Sequence, residues 1–192
     1  CKQFNAWKDK GVKIDVISIN IPGTYVTNER LKKTLVDAVN KYEIDPSHIE
    51  LEITETSYVD NIKEAISAVL QFRQLGFLVA IDDFGTGVSS LSYLKMLAVT
   101  TLKIDKSFVD GIPHTQKDAE IIKGIISLAS SLGLNVVIEG VENVDQAAYI
   151  NSNFEDALIQ GYYYSKPLPA IEVERFYKQI HRKRENLITV DI

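Results

Sequence analysis

Apolar runs of strand length alternate with helix-length amphipathic segments along the whole chain, and each run ends in a polar or charged residue on one face. Successive side chains of a strand point to opposite faces. Residues 14–21 read as a strand with Ile17, Ile19 and Ile21 on one face and Ser18 and Asn20 on the other. Residues 48–53 set Ile49, Leu51 and Ile53 against Glu50 and Glu52. In residues 77–82, Leu78, Ala80 and Asp82 share a face. Residues 100–104 put Thr101, Lys103 and the following Asp105 opposite Leu102 and Ile104. Residues 135–139 and 157–160 end on Glu139 and Gln160. Strands alternating with helices imply a parallel sheet with helical crossovers. A doubly wound sheet binds only where its strand order reverses, whereas a barrel of parallel strands gathers its inward strand ends into one crater. Six polar strand ends on one side predict the barrel: an α/β fold, TIM-like.

The intervening segments read as helices. Residues 2–10 stop at Gly11, Asn28 caps a helix to about Tyr42, and residues 62–75 stop at Gly76. A short helix covers 91–97, and Asp105 opens a one-turn helix through Phe108. Thr115 caps a helix over 117–132 that Gly133 ends, and helices follow over 144–151 and 172–181. The tail from Glu185 is left unassigned. No linker or low-complexity segment interrupts the 192 residues, so a single domain over 1–192 is expected.

Asp82 and Asp83 end an apolar strand and precede the turn Gly85-Thr86-Gly87. Asp82 is expected to close the strand and Asp83 to open the loop, both facing one point. Two carboxylates about 4 Å apart repel by roughly 4 kcal/mol at a protein-like dielectric, so joint ionisation calls for a cation between them. Asn, Asp and Glu oxygens are hard ligands that suit Mg²⁺ or Mn²⁺. Zinc fits less well, because His48, His114 and His181 lack ligand spacing and Cys1 has no partner. No nucleophile elbow or phosphate-binding Gly-rich loop is present. A divalent metal with a lysine and further carboxylates suits phosphodiester hydrolysis. Bland readings stand beside this one. A lone strand-end Glu is ordinarily solvated, a reading that stays open for Glu50 and Asp105. Lys103 serves equally well as a structural ion-pair partner. Gln160 can simply satisfy backbone groups, and Tyr162, Tyr163 and Tyr164 can be packing.

A net charge of −5 without a basic run argues against a duplex-binding surface. The single cysteine rules out an intrachain disulfide and fits a reducing, cytoplasmic setting. No apolar run reaches the length of a membrane span, and no signal peptide is read. The chain opens without Met in what reads as mid-helix, so a piece of a longer protein is expected, with membrane tethering left open for the parent.

Several stretches together resemble the EAL-type cyclic-di-GMP phosphodiesterases. They are Glu50-Leu-Glu52-Ile-Thr-Glu55, Ile81-Asp-Asp-Phe-Gly-Thr-Gly87, Thr101-Leu-Lys-Ile-Asp105 with Ser107-Phe-Val, Ile138-Glu-Gly-Val-Glu142, and Gln160-Gly161 with Ser165-Lys-Pro-Leu-Pro169. The resemblance covers nearly the whole chain. It implies a TIM-like barrel, bacterial origin, and Mg²⁺- or Mn²⁺-dependent opening of cyclic di-GMP to linear pGpG, with Ca²⁺ supporting binding without turnover. It implies that Asn20, Glu52 and Asp82 hold one metal, that Asp82 bridges to a second, and that Asp83 and Glu139 stand beside it. Lys103 would position the attacking water, with Glu139 as alternative base, and Glu55 would brace the loop from Asp83 to Ser90, where the family dimerises. Gln160, Asp105 and Glu142 fall to the ligand side. The Glu-Ala-Leu tripeptide and the first strands are absent, so the expected fragment is the C-terminal three quarters of the domain: an incomplete barrel, with weak or no activity alone. Val88 stands where the family has Tyr, and Ala98 where it often has Pro. The rival readings are a non-catalytic cyclic-di-GMP receptor and a dimerisation scaffold.

Overall fold

The computed structural model describes residues 1–54, 62–86 and 91–188. The elements run α1 (Lys2–Asp9), β1 (Ile17–Asn20), α2 (Glu29–Lys41), β2 (Ile49–Thr54), α3 (Ile62–Gln74), β3 (Leu78–Phe84) and α4 (Leu91–Met96). They continue as β4 (Thr101–Ile104), α5 (Gln116–Ser131), β5 (Asn135–Ile138), α6 (Val144–Asn153), β6 (Leu158–Ile159) and α7 (Ala170–Ile188). The described strands pair in chain order, β1 to β6, and every pair is parallel. Strand order without reversal is that of a barrel wall, here an incomplete one.

Side-chain contacts carry the barrel's signature. Thr101 lies in register with Ala80, and Ala80 with Glu52. Yet Thr101 bonds Glu50, two residues away from that register. Tilted strands in a closed wall are staggered in this way, so inward side chains meet across alternate strands.

The outward strand faces pack against the helices. Ile49, Leu51, Ile53, Val79, Ile81, Leu102, Ile104 and Ile138 are buried there with Val69, Phe72, Ile122 and Ile150. Helix signals act as predicted. Asn28 Oδ1 accepts from the backbone N–H of Arg30 at 2.8 Å and of Leu31 at 3.4 Å. Gly76, with φ of +93°, lies just past the end of α3. Thr115 holds the cap position of α5, but its hydroxyl makes no capping bond. The Trp7 indole N–H donates to the Ala170 carbonyl at 3.1 Å, and Lys10 pairs with Glu174 at 2.6 Å, fastening α1 to α7.

Several expected boundaries shift. β1 begins at Ile17 rather than 14; the Asp15 carbonyl lies 2.6 Å from His48 Nδ1 instead of joining the ladder. β3 runs on through both aspartates to Phe84, with Asp83 in the left-handed region (φ 54°) and a register shift between Ile81 and Phe84. α6 extends to Asn153, and α7 continues to Ile188, so the tail is helical through that residue. Glu55, Gly87 and Val88 lie outside the described residues. No described helix is long and apolar enough to cross a membrane.

Candidate functional site

Alternation on each strand brings the predicted residues to one mouth. Asn20 ends β1, Glu52 lies near the end of β2, Asp82 sits late in β3 and Lys103 late in β4. Glu139 directly follows β5 and stays in the ladder, its N–H donating to the Ile104 carbonyl at 3.1 Å.

Lys103 is the hub. Its Nζ lies 2.8 Å from Glu52 Oε1, from Asp82 Oδ1 and from Glu139 Oε1. The lysine side chain is 5% exposed and that of Glu52 8%. Burial pulls the Lys103 pKa down, but the bonds to Asp82, Glu139 and Glu52 outweigh it and hold the ammonium above its ordinary range. Three carboxylates around one ammonium leave an excess of negative charge.

Asp83 adds to that excess. A left-handed residue breaks the strict alternation of a strand, so consecutive aspartates can serve one site. Oxygens of Asp82, Asp83 and Glu139 all lie within 4.8 Å of one another. At that separation each ionised pair repels by about 3 kcal/mol at an effective dielectric of 20. Burial raises the Asp83 pKa, the charges of Asp82 and Asp105 add to it, and Lys103 opposes. Burial also raises the Glu139 pKa; Lys103 pulls it back, while Asp82 and Glu52 push it up.

The donor set fits a hard divalent cation. The Asn20 amide oxygen faces only acceptors; with the amide turned, its nitrogen donates to Glu52 Oε2 at 3.2 Å and Asp82 Oδ2 at 3.3 Å. Unturned, three oxygens converge, an arrangement that a cation stabilises. Asp82 Oδ1 is buried without a hydrogen bond of proper geometry, although the Lys103 ammonium is 2.8 Å away. The contact is ionic.

The other predicted residues take different places. Asp105 is half-buried, and its carboxylate accepts from the Ser107 N–H at 3.0 Å, capping the turn Lys106–Phe108. Glu142 and Gln160 line a neighbouring cleft of about 540 Å³ together with Lys106, Tyr162 and Lys166. Lys106 pairs there with Glu142 at 2.5 Å. A Cβ at Gly161 would run into the backbone of Val141, so this wall of the cleft requires glycine. The three tyrosines are exposed rather than core. The cluster is picked out by its chemistry rather than by the shape of a cavity. Lys106 went unnoticed in the sequence; its position after the Asp105 cap was the available signal. Glu50 is not solvated but buried.

The EAL domain family model matches residues 1–167. The signaling protein YkoW of Bacillus subtilis is 40% identical over 176 residues, 92% of this chain and 22% of that protein. The cyclic di-GMP phosphodiesterase NbdA of Pseudomonas aeruginosa is 38% identical over 162 residues, 84% of this chain and 21% of that protein. The chain thus spans about a fifth of the length of these relatives. Among solved structures, the PaMucR phosphodiesterase in complex with c-di-GMP superposes with a TM-score of 0.83 at 32% identity, over 90% of this chain and 70% of that one. A manganese/cy-diGMP complex of Klebsiella pneumoniae BlrP1 gives 0.77 at 25% identity, over 85% of this chain and 42% of that one. With the family model matched across most of its length, the chain belongs to the EAL domain family.

Proposed function

We propose that this domain hydrolyses cyclic di-GMP to linear pGpG, using Mg²⁺ or Mn²⁺. The observation that carries the reading is the convergence of Glu52, Asp82 and Glu139 on Lys103, with the Asn20 amide against Glu52 and Asp82, at one mouth. Relatives named as cyclic di-GMP phosphodiesterases, and solved EAL structures holding this dinucleotide with manganese or calcium, support it.

In this reading Asn20, Glu52 and Asp82 would hold one cation, and Asp82 with Asp83 and Glu139 would hold a second. Such cations polarise a phosphoryl group and lower the pKa of a water. Lys103, whose ammonium meets three carboxylates in the metal-free site, would position the attacking water with an N–H freed when one of those carboxylates turns to the cation. Glu139 is the alternative acceptor of that water's proton, a role exclusive of ligating the cation. The cleft lined by Glu142, Gln160 and Lys106 would receive one base of the dinucleotide. Ca²⁺ would occupy the same oxygens and support binding without turnover.

The test is product analysis with Mn²⁺ on the protein that carries this domain. Formation of pGpG is expected. Asp82→Asn is expected to cut turnover by more than about 100-fold, beyond the loss typical of outer-shell partners. Near-normal turnover in that variant contradicts the assignment. The chain alone is expected to turn over slowly, because β1 and β6 form the edges of the described sheet.

A further inference from the structure

One layer below the mouth lies a buried carboxylate that the proposed chemistry does not use. Glu50 is 7% exposed. Thr101 Oγ1 donates to its Oε1 at 2.6 Å, and Ser18 Oγ to its Oε2 at 3.0 Å. These three residues stand two positions before Lys103, Glu52 and Asn20 on β4, β2 and β1. Two residues along a strand is roughly 6.6 Å and returns to the same face. Each floor residue therefore sits directly beneath a residue of the mouth. The bond to Thr101 also skips β3, whose residue in register with Thr101 is Ala80, fully buried. Its methyl leaves the barrel interior open for Glu50 to reach across.

A buried carboxylate is costly unless hydrogen-bonded, and strand pairing already joins β1 to β2. What pairing alone does not fix is the distance across the barrel between β2 and β4, and that distance decides whether Lys103 meets Glu52. We propose that Glu50 is a positioning residue for the metal mouth: its bonds to Ser18 and Thr101 set the spacing of Asn20, Glu52 and Lys103 above it. The proposal rests on the metal reading given above.

Glutamine at this position keeps both bonds, accepting from Thr101 and donating to the Ser18 oxygen, whereas leucine keeps only the volume. Two readouts separate the possibilities: Mn²⁺ affinity by titration calorimetry, and the slowly exchanging Lys103 ammonium signal by ¹⁵N NMR without metal. Glu50→Leu is expected to weaken Mn²⁺ binding at least tenfold and to lose the ammonium signal. Glu50→Gln is expected to bind within threefold of the unaltered chain and to keep the signal. Unchanged behaviour of Glu50→Leu overturns the proposal, as does a Glu50→Gln variant as weak as the leucine one, which would make charge the cause. If Glu50→Leu does not fold, Thr101→Val decides: fivefold weaker binding supports the proposal and unchanged binding overturns it. If the unaltered chain itself ignores Mn²⁺, the metal reading falls, and the ammonium signal alone judges the positioning role.

Discussion

Lys103 carries the most consequence of any single residue here. It is the cation that three carboxylates share, Glu52 buried and Asp82 and Glu139 partly so. Removing one partner of a buried ion pair leaves an uncompensated charge, costing about 3–5 kcal/mol. Lys103→Met is therefore expected to lower the metal-free stability by about that amount in urea melts; a loss below about 1 kcal/mol would mean the carboxylates are neutralised another way. The pH dependences have opposite senses. The folded pKa of Lys103 lies above its unfolded value, so its contribution is complete at neutral pH and is lost as pH climbs through the folded value. The pKa values of Asp83 and Glu139 are raised by burial, so the native state holds protons there that the unfolded chain releases. For these two groups, falling pH stabilises the metal-free fold and opposes cation binding. Calorimetric Mn²⁺ titrations should weaken as pH drops into that raised carboxylate range, before ordinary carboxylates protonate. Affinity independent of pH there would argue that neither group touches the ion.

At the scale of elements, local signals and tertiary ones part company. Asn143 accepts from the Gln146 N–H at 2.9 Å, and Gln146 Oε1 accepts in return from the Asn143 N–H at 3.3 Å, a reciprocal cap for α6. Gln146 Nε2 also donates to the Val109 carbonyl at 3.1 Å, tying α6 to the segment after β4. Asn143→Ala is expected to cost about 1 kcal/mol in thermal unfolding, and Gln146→Ala more, since it leaves that buried carbonyl without its donor. Strand identity, the Asn28 cap, and the glycine stops were legible in the sequence because each depends on a few neighbouring residues. The convergence of Asn20, Glu52, Asp82, Lys103 and Glu139 was legible because alternation fixes their face. The left-handed Asp83 was not: strand continuation past Asp82 depends on pairing Phe84 with Ile104, a long-range fact. Nor was the burial of Glu50, because its partner lies two strands away and meets it only through the stagger of a curved wall. The start of α7 at Ala170 escaped for a similar reason, its first turns being fastened to α1 at the other end of the chain.

At the scale of the whole molecule, the six described strands, parallel and in sequential order, place their polar ends in a single crater, with apolar faces turned outward to the helices. Membership of the EAL domain family accounts for the coincidence of strand order, motif spacing and crater chemistry. The central claim is that this crater traps divalent cations between Asn20, Glu52 and Asp82, with Asp83 and Glu139 alongside. Anomalous diffraction from crystals grown with Mn²⁺ tests it most directly. The account predicts a manganese peak bounded by oxygens of Asn20, Glu52 and Asp82. A strong peak at another surface, or none at millimolar Mn²⁺ with these side chains ordered, would contradict it.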